Sequence, residues 1–199
     1  MRILIVGAEG TVGKAAAAEL GKRHEIITAG RTTGSIRVDL SDMASVNAMF
    51  TMTGKLDAVV SCAGHVHFGP LSAMQPEQFL GGLKDKLMGQ VNLTLACLHV
   101  IADGGSVTLT SGVLDRDPIR GGANAAAVNG AIGAFVLSAA LEMPRGIRIN
   151  AVSPGLLEES ARKYDGFFPG HEPVSSARVG VAFAKSVEGG LTGKVIVVG

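Results

Sequence analysis

Ser111 follows the strand-like run Ser106-Val107-Thr108-Leu109-Thr110 and precedes Gly112. A hydroxyl at the mouth of a buried strand, opposite the start of a buried helix, is placed to hold a substrate oxygen. The run from Gly121 to Leu141 beyond it contains no charged residue, which predicts a helix covered by protein on several sides. A second group stands near the start of the chain, where Gly7-Ala8-Glu9-Gly10-Thr11-Val12-Gly13 joins the apolar run Arg2–Val6 to a helix-forming stretch ending at Lys22. A G-x-x-G-x-x-G run between a strand and a helix suits a dinucleotide pyrophosphate. Its glycines admit backbone N–H groups close to the phosphates, and the helix N-terminus is positive. Gly7, Gly10, Thr11, Val12 and Gly13 are the residues expected to bind it. A tight turn without a ligand could use the same glycines. About 20 residues further on, where a carboxylate would hold the ribose hydroxyl of NAD, the chain has Gly30 and Arg31. A guanidinium there can pair with a 2′-phosphate, so NADP(H) is expected over NAD(H).

The elements that must position these groups alternate between apolar runs and helical patterns. Strands are expected at Arg2–Val6, His24–Ala29, Ile36–Leu40, Leu56–Ser61, Ser106–Thr110, Gly146–Val152 and Gly193–Val198. Ser41 is a candidate cap for the helix carrying Val46, Met49 and Phe50. The order predicts an α/β fold: one Rossmann-type domain over residues 1–199, its doubly wound parallel sheet of about seven strands covered by helices on both faces. Such a sheet places its ligand at the carboxyl ends of the strands. With 47% hydrophobic and 18% charged residues, the composition suits a well-covered core. The net charge of +1 and the lack of a basic cluster argue against nucleic acid. Asn124, Asn129 and Ser138 make the uncharged run a poor membrane span. Cys62 and Cys97 read as reduced thiols, and the first residues lack the pattern of a secretory leader, so a cytoplasmic protein is expected. The helix with Leu87, Val91, Leu95 and Leu98 has a second apolar side at Leu93, Cys97 and Val100. That predicts a homodimer or homotetramer through the helices around 86–102 and 124–143. The segment Leu156–Pro173, with Tyr164, Phe167 and Phe168, reads as a substrate-covering insertion. Asp115 and Arg116 read as a solvated loop.

The ordered series of motifs resembles the short-chain dehydrogenase/reductase family along essentially the whole chain. It comprises the glycine run, Asp39, Ser61-Cys62-Ala63-Gly64, Ser111, the small-residue helix ending Ala140-Leu141-Glu142, and Arg148-Ile149-Asn150-Ala151-Val152-Ser153-Pro154-Gly155. The resemblance extends the expected cofactor site to Asp39, Leu40, Cys62, Ala63, Gly64, Pro154 and Gly155. It implies hydride transfer between a nicotinamide and a small carbonyl or alcohol. It also implies a Tyr-x-x-x-Lys pair on the long helix, a serine and an asparagine on the preceding helix. The chain departs from this at its centre: the tyrosine position falls at Ala125, the lysine position at Asn129, and the asparagine position at Lys86. In one reading, Ser111 orients the substrate, Lys86 supplies the cation, Asn129 holds a ribose hydroxyl, and the proton comes from His65, His67, Tyr164 or water. In the other, Lys86 is solvated and Asn129 is a satisfied buried amide. The expected function is thus an NADP(H)-dependent oxidoreductase with a non-standard proton donor; the alternative is a non-catalytic NADP(H)-binding or regulatory protein on the same fold.

Overall fold

The computed structural model describes all residues, 1–199. Seven strands form one sheet: β1 (Arg2–Val6), β2 (Glu25–Gly30), β3 (Ile36–Arg37), β4 (Leu56–Ser61), β5 (Ile101–Thr110), β6 (Arg148–Pro154) and β7 (Lys194–Val198). Their spatial order is β3-β2-β1-β4-β5-β6-β7, and every neighbouring pair is parallel. The order reverses between β1 and β4, so the carboxyl ends of these two strands border a crevice at the switch point. The helices are α1 (Thr11–Leu20), α2 (Met43–Thr53), α3 (Pro76–Gly82), α4 (Gly89–Cys97), α5 (Ala123–Ala139), α6 (Glu158–Ala161) and α7 (Ser176–Glu188).

Two apolar layers cover the sheet. Leu4, Val59, Val107 and Ile149 pack with α2, α4 and α5 on one face. Ile3, Ile5, Val60 and Val152 pack with α1 and α7 on the other. Alternate residues of one strand thus enter opposite layers, which is why the buried strands read as unbroken apolar runs. The motif around β6 holds these layers together. Arg148 donates to the carbonyls of Ser186 and Val187, and Asn150 Nδ2 to that of Leu191, which locks the end of α7 onto the sheet.

Several boundaries differ from expectation. β3 stops at Arg37 because the Asp39 amide turns to Ser45 Oγ and its carboxylate accepts from Ser41. Asp42, not Ser41, caps α2, accepting from the Ala44 amide. β5 begins five residues early, at Ile101, and β6 begins at Arg148, after Arg145 and Gly146 at positive φ. The helix before β5 starts at Pro76 and continues into α4 through a π turn, Leu83–Met88.

Gln90, fully buried on α4, sets the height of that helix against the sheet. β4 pairs with β5 only as far as Val60 and Thr108. Beyond that point Gln90 takes over, its Oε1 accepting from the Thr110 amide at 2.8 Å and its Nε2 donating to the Thr110 carbonyl at 3.0 Å. Gln90→Leu would strand both backbone groups, and a loss of about 2–4 kcal/mol in urea-unfolding free energy is expected. Wild-type stability in that variant would show that the amide is not the anchor.

Candidate active site

The glycine run builds a cradle at the end of β1. Gly7 has φ +82°, and a Cβ there would lie 2.9 Å from the Ala63 nitrogen and the Cys62 carbonyl. A Cβ on Gly13 would enter the Gly7 carbonyl. Gly10 caps α1 without a side chain, and the first turn of α1 carries no acidic residue of its own to compete for its free N–H groups. Backbone, rather than side chains, fills this space. A dinucleotide pyrophosphate fits that chemistry, with the Thr11 and Val12 amides open as donors while the Gly10 amide is held by the Gly7 carbonyl.

A cleft of about 480 Å³ runs from the cradle along Gly30, Arg31, Val38, Leu40, Cys62, Ala63 and Gly64. Gly13 supports this cleft from beneath Gly7. Asp39 stands beside it: Ser41 and Arg31 hydrogen-bond its carboxylate and hold its pKa low. Arg31 is not free. Its guanidinium pairs with Asp85 at 2.7 Å and reaches Asp39 at 3.4 Å. Burial works against the Asp85 carboxylate, yet hydrogen bonds from Arg31 and from the backbone and ring of His65 keep its pKa below the usual range. Asp85 is a cleft residue with no signal in the sequence, since it lies 54 positions from Arg31 and reaches it from the π turn.

The cleft continues into a pocket of about 370 Å³ lined by Ser111, Lys86, Asn129, Ala125, Pro154 and Gly155, among others, with Thr11, Val12, Cys62 and Gly64 at the junction. Here the separate predictions meet. Lys86 Nζ donates to Asn129 Oδ1 at 2.7 Å and to the Ser111 carbonyl at 2.9 Å. Ser111 Oγ donates to the Asn129 carbonyl at 3.0 Å. Ser111 and Asn129 are 2% and 4% exposed, and Ala125 is 1% exposed; no aromatic hydroxyl stands at that position. Lys86 is therefore a partner of Asn129 rather than a solvated residue. Desolvation draws its pKa down to about 8, opposed by the charge of Asp115.

The expected proton donors separate spatially. His65 borders both cavities, but its ring is 88% exposed and bonded to Asp85. His67 lies outside the pocket wall, its amide held by Asn124 Oδ1. Tyr164 forms part of the roof, its ring against Phe68 at 6.1 Å and Phe168 at 5.9 Å. Phe167, expected to share that role, is half exposed. The loop at Asp115 and Arg116 is exposed, as expected, although the Arg116 side chain donates to Ser153 Oγ at 2.6 Å and pairs with Asp115.

The family model described as enoyl-(acyl carrier protein) reductase matches residues 6–198. Versicolorin reductase stcU of Emericella nidulans is 28% identical over 182 residues, which cover 78% of this chain and 68% of that protein. Among solved structures, the protein lin1944 from Listeria innocua superposes with a TM-score of 0.98 at 48% identity, with both chains fully covered. A small-chain dehydrogenase in complex with NADPH superposes at 0.87 with 27% identity, covering 100% of this chain and 96% of its own.

Proposed function

Because the chain belongs to the short-chain dehydrogenase/reductase family, we propose that it is an NADP(H)-dependent oxidoreductase that reduces a small carbonyl compound, or oxidises the alcohol, in the pocket at Ser111. The reading is carried by the convergence of Lys86, Ser111 and Asn129 at the inner end of the cleft that the glycine cradle opens. When bound, the nicotinamide supplies the hydride; binding, orientation and proton handling fall to the chain. Ser111 Oγ keeps its lone pairs free, and its hydroxyl can turn from the Asn129 carbonyl to the substrate oxygen. Asn129 Nδ2 has no acceptor within the chain and suits a ribose hydroxyl, while Lys86 supplies the positive charge. The rings of Phe68, Tyr164 and Phe168 over the pocket support a flat, ring-containing substrate, as does a 27% identical trihydroxynaphthalene reductase of Colletotrichum orbiculare.

The test is NADPH oxidation across a panel of aldehydes, ketones and quinones, with Ser111→Ala expected to lower turnover about 10²-fold. No oxidation on any of them, with tight NADPH binding by calorimetry, would instead mark a non-catalytic binding protein.

The preference for NADP(H) rests on Arg31 lining the cleft, with the NADPH complex of a structural neighbour in support. A 2′-phosphate must compete with Asp85 for the guanidinium. Asp85→Asn is therefore expected to tighten NADPH binding several-fold and leave NADH nearly unchanged, while Arg31→Ala weakens NADPH selectively. An equal loss for both cofactors in the Arg31 variant would refute the preference.

No helix is long and apolar enough to cross a membrane. Leu95 on α4, Leu137 on α5 and Leu141 just beyond it are exposed at 51%, 60% and 87%, which supports pairing with a second copy through these helices. A monomeric mass by light scattering at micromolar concentration would contradict that pairing.

A further inference from the structure

We propose that Lys86 is the proton donor of the reaction, its ammonium delivering a proton directly to the substrate oxygen as hydride arrives at carbon. The proposal rests on the oxidoreductase reading above and goes beyond the role of a fixed cation. Few groups in the pocket can donate a proton. The Ser111 hydroxyl can turn from the Asn129 carbonyl to orient the substrate oxygen but is far too weak an acid to give up its proton near neutral pH, and Ala125 offers only a methyl group. Lys86 has three N–H bonds. Two are held by the Ser111 carbonyl and Asn129 Oδ1. The third makes no hydrogen bond within the chain, and Lys86 itself lines the cavity.

The fold also holds the lysine stem in place. Lys86 sits on the π turn Leu83–Met88, a distortion that places one extra residue in a helical turn and is often found at functional sites. Gly64, at φ +128°, packs so closely on it that a Cβ would lie 2.7 Å from the Cα, Cβ and Cγ of Lys86. A purely electrostatic role needs no such clamping of the stem, whereas proton transfer demands a fixed distance. The surroundings also tune the group. Asp85 and Lys84 flank it on its own turn, Asp115 acts on it from the turn after β5, and His65, Lys163 and Tyr164 border the same cavity. Burial outweighs the pull of Asp115 and leaves a pKa of about 8, so near neutral pH the amine is protonated yet gives up its proton readily.

The step balances. Hydride forms the new C–H bond, and the carbonyl π pair moves to oxygen. That oxygen forms an O–H bond with one Nζ proton, the N–H pair staying on nitrogen as a neutral amine that solvent reprotonates. The carbonyl is reduced by two electrons and the reduced nicotinamide oxidised by two.

The experiment has two arms. In the cofactor-free protein carrying 13C-labelled lysine, the side-chain signal that Lys86→Met removes should titrate near pH 8. A signal that titrates only near the ordinary lysine range overturns the proposal. In the kinetic arm, Lys86→Met should lower kcat about 10²–10⁴-fold, and small primary alkylammonium ions should restore part of it, the more acidic ones more effectively. Turnover that survives Lys86→Met, or a loss that no amine restores, overturns the proposal alone. Absence of turnover in the wild-type chain overturns the oxidoreductase reading and the proposal with it.

Discussion

Gly64→Val should abolish most turnover, by about 10²–10⁴-fold, and destabilise the fold. Two independent costs meet at this position. At φ +128° an L-residue is strained, by about 1–3 kcal/mol. Its Cβ would also sit 2.7 Å from the Cα, Cβ and Cγ of Lys86, atoms near the backbone that cannot swing aside. Overpacking of this kind costs about a further 1–3 kcal/mol. The activity loss has a geometric origin: pushing the Lys86 stem displaces Nζ from Asn129 Oδ1 and the Ser111 carbonyl. Gly166→Ala is the matched control, since Gly166 has φ +78° and open space around the missing Cβ, so it carries strain alone. Urea unfolding and kcat/KM of both variants check the prediction. A Gly64 variant no worse than the Gly166 control would remove the Lys86 contact from the argument.

Raising the pH from 8 to about 10.5 should stabilise the wild-type chain relative to Lys86→Met, by up to about 3 kcal/mol. Desolvation lowers the folded-state pKa of Lys86 from 10.5 to about 8. Below pH 8 the amine is charged in both states, and the fold bears the whole penalty of burying that charge. Between the two values the unfolded chain holds a proton that the folded chain has released. Stability therefore rises with pH through this window and levels off above it. The two thiols act in the opposite direction. Burial raises Cys62 and Cys97 from 9.0 to about 12, so their contribution is complete below pH 9 and fades above it. They are common to both chains, and the difference between the two pH profiles isolates the lysine. Parallel profiles would mean that Lys86 titrates in the fold as it does in water.

Gly7 and Gly13 are legible because a close approach of backbone to backbone leaves no room for a side chain, whatever the rest of the chain does. The parallel sheet is legible because a strand buried on both faces must be apolar throughout. These features depend on local spacing, and local spacing survives in sequence.

Contacts across the fold do not survive in that way. Arg31 reads as a free guanidinium until the π turn brings Asp85 against it. Gln90 carries no mark that it completes the end of β5. Lys86 and Asn129 can be matched by position, but their 2.7 Å contact depends on the rotational phase of one helix against another. The π turn places an extra residue in a helical turn, enough to change which side chain faces the sheet. Sequence alone thus specified the sheet and the cradle. The folded chain decided that Lys86 meets Ser111 and Asn129, because a helix's phase is set by packing against the whole sheet.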